Sequence, residues 1–289
     1  MLQKHAVFSI DREGTDLESL KIGRETLQQN PQPLVIFPEA EVYHCADRVT
    51  PFREGAAAIA IFSARKAERQ IVVIPAAQNY RYLDDPTDEL LEVTSRLEES
   101  IHWRPRPELT LLEQIYSLGG ALMALKELEF LGEVRSGTLP ERTDFLARYI
   151  LNRHEQLHGI KGDSRTIPER VKELRRIALE AIGELDEEQQ SDQRKQLDDM
   201  LDEVFLVVQL YSYPGDYVRE NPTIERLAET LDKFEEDVLK CYSATVRGSR
   251  QATVTFGEPI PMEYSRDRSA IVTLTSSMED QIQQMLDAS

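Results

Sequence analysis

Cysteine is nearly absent: the 289 residues hold only Cys45 and Cys241. Two scattered thiols supply neither a disulfide framework nor a cysteine-based zinc site, and they point to a reducing, cytoplasmic compartment. Basic residues are also few, 34 against 52 acidic ones, giving a formal charge of −18. Nucleic-acid binding needs a basic footprint, so that class of partner is excluded, and simple attraction to an anionic bilayer is disfavoured. No apolar run approaches the roughly 18 residues of a membrane-spanning helix. The opening stretch, MLQKHAVFSIDREG, carries neither a signal-peptide core nor an amphipathic, acid-poor transit pattern. What remains is ordinary for a folded chain: 40% hydrophobic and 30% charged residues, enough apolar matter for a core and too much for wholesale disorder.

The charge is unevenly spread. Residues 91–240 carry 20 basic and 32 acidic groups, so most of the negative excess lies in the middle of the chain. The hydrophobic pattern changes at similar points. Residues 7–10 read as a strand, 15–29 as a helix stopped by Asn30-Pro31-Gln32-Pro33, and Leu34-Val35-Ile36-Phe37 as a strand buried on both faces. A small-residue helix over 55–65 and a further buried strand, Ile71-Val72-Val73-Ile74, follow. Alternating strands and helices predict an α/β fold: a mostly parallel sheet with flanking helices. From about residue 84 the period becomes 3.6, predicting helices over 87–97, 109–131, 138–158, 166–185, 190–210 and 224–241. Two of them open alike, Thr138-Leu139-Pro140-Glu141 and Thr166-Ile167-Pro168-Glu169, each a capping box with proline in the first turn. A strand over 251–256 and a helix over 269–286 close the chain. The expected organisation is therefore an α/β core (1–83), a large all-α insertion (84–240) and a C-terminal strand and helix completing the core (241–289).

Two constellations invite chemistry. His154-Glu155-Gln156-Leu157-His158 has the H-E-x-x-H spacing of a zinc peptidase helix. Gly159 follows at once, which favours a helix C-terminus, and Arg148, Asn152 and Arg153 suggest an exposed stretch with no third ligand indicated. No metal is expected. The second runs from Phe37-Pro38-Glu39-Ala40-Glu41 to Asp47-Arg48-Val49-Thr50-Pro51-Phe52-Arg53-Glu54-Gly55. A strand end releases a carboxylate into a polar loop, which returns through two arginines to a helix start. That arrangement suits an anion, or else a solvated loop in which Glu39 and Arg53 pair.

These residues resemble the third conserved block of the phospholipid/glycerol acyltransferases (the lysophosphatidic-acid-acyltransferase-like proteins), F-P-E-G-T followed by P-F-K-x-G-A. Phe8-Ser9-Ile10-Asp11-Arg12 is similar to the second block, Val73-Ile74-Pro75-Ala76 to the fourth, and Phe256-Gly257-Glu258-Pro259-Ile260 to the late G-E-P-I. The resemblance covers about residues 6–82 and 250–286. It implies transfer of an acyl group, without metal or cofactor, from acyl-CoA or acyl-ACP (acyl carrier protein) to a lipid or polyol hydroxyl, with peripheral membrane contact. It assigns Arg12, Arg48 and Arg53 to anionic groups and Glu39 to positioning the acceptor or ordering the loop. Two departures stand out. The catalytic N-H-x4-D is absent from the chain, so its His/Asp dyad is expected upstream of Met1, or else the chain is a non-catalytic remnant whose helices serve as a platform for protein partners. Ala40-Glu41 replaces Gly-Thr, which removes easy access to positive φ and adds a negative charge.

Overall fold

The computed structural model describes residues 7–8, 10, 16–40, 43–161, 165–185, 192–212 and 215–288. The chain divides into two compact units, one built from 1–81 with 250–289 and the other from 82–249.

In the first unit, α1 (Leu17–Gln29) starts where the Asp16 carboxylate accepts from the Ser19 N–H at 2.8 Å. It packs on α2 (Gly55–Ser63), a helix of small and aliphatic residues whose Ala57, Ile59, Ala60 and Ile61 are all buried. The approach is close at Gly23, where a Cβ would stand 2.9 Å from Ile59 Cδ1 and the isoleucine would have to shift to admit it. The other side of α2 meets α10 (Arg268–Asp287), where Leu274 and Met278 join Phe52, Ala57, Ala60 and Ile61 in one apolar cluster. The strands are short. β1 (Val72–Val73) pairs antiparallel with β4 (Ile260–Pro261), Val72 opposite Pro261 and Val73 opposite Ile260. β2 (Ala76–Tyr82) pairs with β3 (Arg250–Phe256) in a separate two-stranded ribbon.

The second unit is helical. It contains α3 (Thr87–Ser100), α4 (Leu111–Leu131), α5 (Leu139–Leu157), α6 (Ile167–Glu184), α7 (Asp192–Tyr211), the short α8 (Tyr217–Glu220) and α9 (Ile224–Leu239). α4, α5 and α6 share a design that the two proline-bearing starts only partly revealed. Their capping threonines, Thr110, Thr138 and Thr166, stand 28 residues apart. In each, the glutamate three residues on accepts from the threonine N–H at 2.8 Å. Those amides hold Glu113 and Glu141 below the usual carboxylate range. Leu118, Leu146 and Leu174 occupy the same position in the three helices and all are fully buried, each worth roughly 1.5–3 kcal/mol.

The helices are also joined by buried ion pairs. Glu127, near the end of α4, takes Arg142 of α5 at 3.0 and 2.7 Å. Glu155, near the end of α5, takes Arg170 of α6 at 2.8 and 2.7 Å. The separation in sequence is the same in both cases. On α9, Glu235 and Asp232 hold Arg247, and Glu235 also accepts from the Thr245 N–H at 3.0 Å. Bidentate geometry matters in such places, because a carboxylate out of water is tolerated only when its lone pairs are used.

The fold class read from the sequence is corrected here. The described residues are mostly helical, 59%, with 7% strand in two small antiparallel sheets, and no mostly parallel α/β sheet forms among them. Leu34-Val35-Ile36-Phe37 makes no strand, and Val35 and Phe37 are 73% and 81% exposed. Val7, Phe8 and Ile10 are likewise irregular, while Ser9 lies outside the described residues. Of Ile71–Ile74 only Val72 and Val73 are extended in a pair, and they face a C-terminal strand of opposite direction. The reason is local: an apolar run of four or five residues states that burial is available, and it does not specify a partner or a direction.

Candidate functional site

The loop between Phe37 and α2 is closed at its base and clamped at its middle. The Arg53 N–H donates to the Pro38 carbonyl at 2.7 Å, bringing the two ends together. Inside, the Glu39 carboxylate accepts from both the N–H of Thr50 (3.3 Å) and its hydroxyl. α10 fixes the returning limb: Glu279 accepts from the Phe52 N–H at 2.6 Å, Gln283 accepts from the Val49 N–H at 2.9 Å, and the Gln283 amide donates to the Asp47 carbonyl at 3.0 Å. Phe52 is buried in the α2–α10 cluster and anchors the loop from below.

Ala40 turns the chain at φ 63°, in the left-handed region. Glycine is the usual occupant there, and an alanine costs about 1 kcal/mol or slightly more.

The sequence-identified residues fall out as follows. Glu39 is committed to Thr50, which makes it a loop-ordering group and excludes the simple Glu39–Arg53 pair. Arg53 is half-buried directly before the first turn of α2, and no hydrogen bond or ion pair engages its guanidinium among the described residues. The α2 N-terminus has no side-chain cap, and the space a Cβ on Gly55 would fill is open. A free guanidinium beside uncapped helix amides suits an anion. Arg48 is half-buried on the same loop, its N–H donating to the Cys45 carbonyl at 3.1 Å. Arg12 and Glu41 lie outside the described residues. Three contributors were not legible: Thr50, which gives Glu39 its partner, and Glu279 and Gln283, which arrive from more than 200 residues away. Only the α2–α10 packing brings them in, and no local pattern announces it.

The H-E-x-x-H helix is also resolved. His154 and Glu155 are buried at 6% and 4% exposure, not exposed as the flanking residues suggested, while His158 lies on the surface as the helix cap. Glu155 is spent on Arg170, so it cannot serve as a base. His154 Nε2 lies 2.5 Å from Glu203 Oε2, and Arg153 pairs with the same carboxylate. Burial first, with Arg153 and His158 adding, pushes His154 down to about 4. With Glu203 already neutralised by Arg153, a neutral imidazole donating Nε2–H fits this contact. No group of three metal-ligating side chains occurs among the described residues. Trp103 is 38% exposed with Arg106 over its ring at 5.1 Å, an internal stacking contact. Among the described residues, no helix is long and apolar enough to cross a membrane.

Comparison with protein-family models, curated proteins and solved structures finds no match for this chain.

Proposed function

We propose that the first unit is an acyltransferase-like module that engages an acyl-CoA or acyl-ACP donor and a lipid or polyol hydroxyl acceptor, working at the periphery of a membrane. The observation that carries this reading is Arg53: a half-buried cation without an acidic partner among the described residues, placed at an uncapped helix N-terminus. The phosphates of CoA or of a carrier-protein phosphopantetheine have the chemistry to occupy it. Glu39, through Thr50, keeps the loop in the shape that presents Arg53, and Arg48 lines the same loop.

A second reading is favoured by one specific fact. The chain contains no N-H-x4-D, and the histidine in the most developed environment, His154, is locked onto Glu203. On that reading the module binds the donor and performs no transfer, and the helices serve protein partners. The two separate in one experiment. Long-chain acyl-CoA is incubated with glycerol 3-phosphate, a lysophospholipid and a neutral polyol in turn, and released CoA thiol is measured beside equilibrium binding of acyl-CoA. Turnover that requires an acceptor supports transfer. Saturable binding without turnover supports the non-catalytic module. Neither binding nor turnover would dismiss both.

A further inference from the structure

We propose that the outer edge of β3 pairs with the same edge of a second copy of this chain, across a twofold axis, to form a four-stranded antiparallel sheet in the order β2-β3-β3-β2. The inference rests on the ribbon alone and is independent of the acyl-transfer reading.

The register of the ribbon follows from its two ends. The Gly257 N–H donates to the Pro75 carbonyl at 2.8 Å, and the Leu83 N–H donates to the Ser249 carbonyl at 3.0 Å. Both bonds fit a single antiparallel register, so Gln251, Thr253 and Thr255 turn their backbone groups towards β2. Ala252, Val254 and Phe256 therefore turn their N–H and C=O groups to the opposite edge. All seven residues from Arg250 to Phe256 are exposed, and among the described residues no further strand lies beside them.

Edges of this kind are normally blunted by charge, proline or a bulge, because unpaired backbone groups template another strand. The one charge of β3, Arg250, stands at its first residue, and residues 251–256, Gln-Ala-Thr-Val-Thr-Phe, have none of these devices. The outer edge of β2 is treated differently. The Tyr82 N–H faces that side and is taken by the Glu225 carboxylate at 3.3 Å, and Arg81 adds a charge to the strand. Of the two edges in the ribbon, β3 supplies the open one.

The sequence of β3 also selects its occupant. Antiparallel self-pairing centred on Val254 sets small Ala252 opposite large Phe256 of the second copy, and Thr253 opposite Thr255. It places Arg250 of one copy beside Glu258 of the other, so the strand ends are complementary in charge. Threonine pairs and opposite charges are favourable cross-strand neighbours. The outward groups of Ala252, Val254 and Phe256 make about six backbone hydrogen bonds in this register. A twofold contact of this type closes on itself and stops at two copies.

The test is sedimentation of the full chain between about 1 and 200 µM, a range suited to a small interface. The mass should rise from 33.1 kDa towards twice that value. Val254→Pro removes an outward N–H while leaving the bonds to β2 intact, and Val254→Lys adds the missing charge. Both should remain monomeric with unchanged far-UV circular dichroism. A Val254→Cys variant in a Cys241→Ser background should oxidise to a covalent dimer, because residue 254 meets its own copy on the axis. A wild-type chain that stays monomeric at the highest concentration would overturn the proposal. So would a dimer that survives both Val254 replacements, or masses that continue beyond two copies.

Discussion

Replacing Arg170 by methionine should unfold the helical unit well before any surface arginine change would. Arg170 is 3% exposed, makes two bonds to Glu155 and gives a third to Asn152 at 2.7 Å. Methionine fills much of the space but leaves the Glu155 carboxylate, 4% exposed, without its counter-charge. Breaking one side of such a pair costs about 3–5 kcal/mol. For a unit of this size each kcal/mol lowers Tm by about 2–4 °C, so the expected fall is roughly 6–20 °C. The assay is thermal and urea unfolding followed by circular dichroism. The double replacement Glu155→Leu with Arg170→Met removes both charges together and should recover most of the loss, since a buried pair exchanged for apolar groups is close to neutral. A single-variant cost under about 1 kcal/mol would refute the assignment of a desolvated, interdependent pair. A double variant as unstable as the single one would refute it equally.

Two further outcomes follow from named geometry. Ala40→Gly should stabilise the chain by about 0.5–1 kcal/mol in urea unfolding, because φ 63° is unstrained for glycine; a loss of stability would show that the loop is not held in that conformation. His154 titrates at about 4 when folded against 6.5 as a free side chain. The unfolded chain thus takes up the proton first as pH falls. The contribution of this residue is fully present above about pH 6.5, declines between there and pH 4, and amounts to at most about 3 kcal/mol. A His154→Gln variant, which can still donate to Glu203, should show a shallower decline of stability over that window; identical pH profiles would contradict the burial argument.

Helices were legible in the sequence because their signals are local. Thr138 and Thr166 with glutamate three residues on mark starts that the structure places at Leu139 and Ile167, and the apolar period carries each helix to its end. The strand over 251–256 was also legible from its alternation and forms β3, but the pairing of the sheets was not, because pairing is a property of two distant segments. Leu34-Val35-Ile36-Phe37 has strand composition and no strand partner among the described residues, whereas Ala76–Tyr82, with Gln78, Asn79 and Arg81, lacks a clear alternation and becomes a strand by pairing with β3. The buried ion pairs were equally hidden: glutamate and arginine near helix ends normally signify a solvated face, and only the packing of α4 on α5 and α5 on α6 takes Glu127 and Glu155 out of water. At the candidate site, the Pro51-Phe52-Arg53 return to α2 was readable, as was the strain expected where alanine stands in a glycine position. The clamp by Thr50, Glu279 and Gln283 was not, since α10 reaches the loop only through tertiary contact.

The reading of Arg53 as an anion anchor is tested most directly by calorimetric binding of long-chain acyl-CoA to the wild-type chain and to Arg53→Ala. One charge-assisted contact of about 1.5–3 kcal/mol corresponds to a roughly 10- to 150-fold weaker Kd in the variant. Arg53→Lys should recover part of the loss, and circular dichroism should be unchanged in both. Equal affinity of the wild-type and Arg53→Ala chains for acyl-CoA would contradict the site.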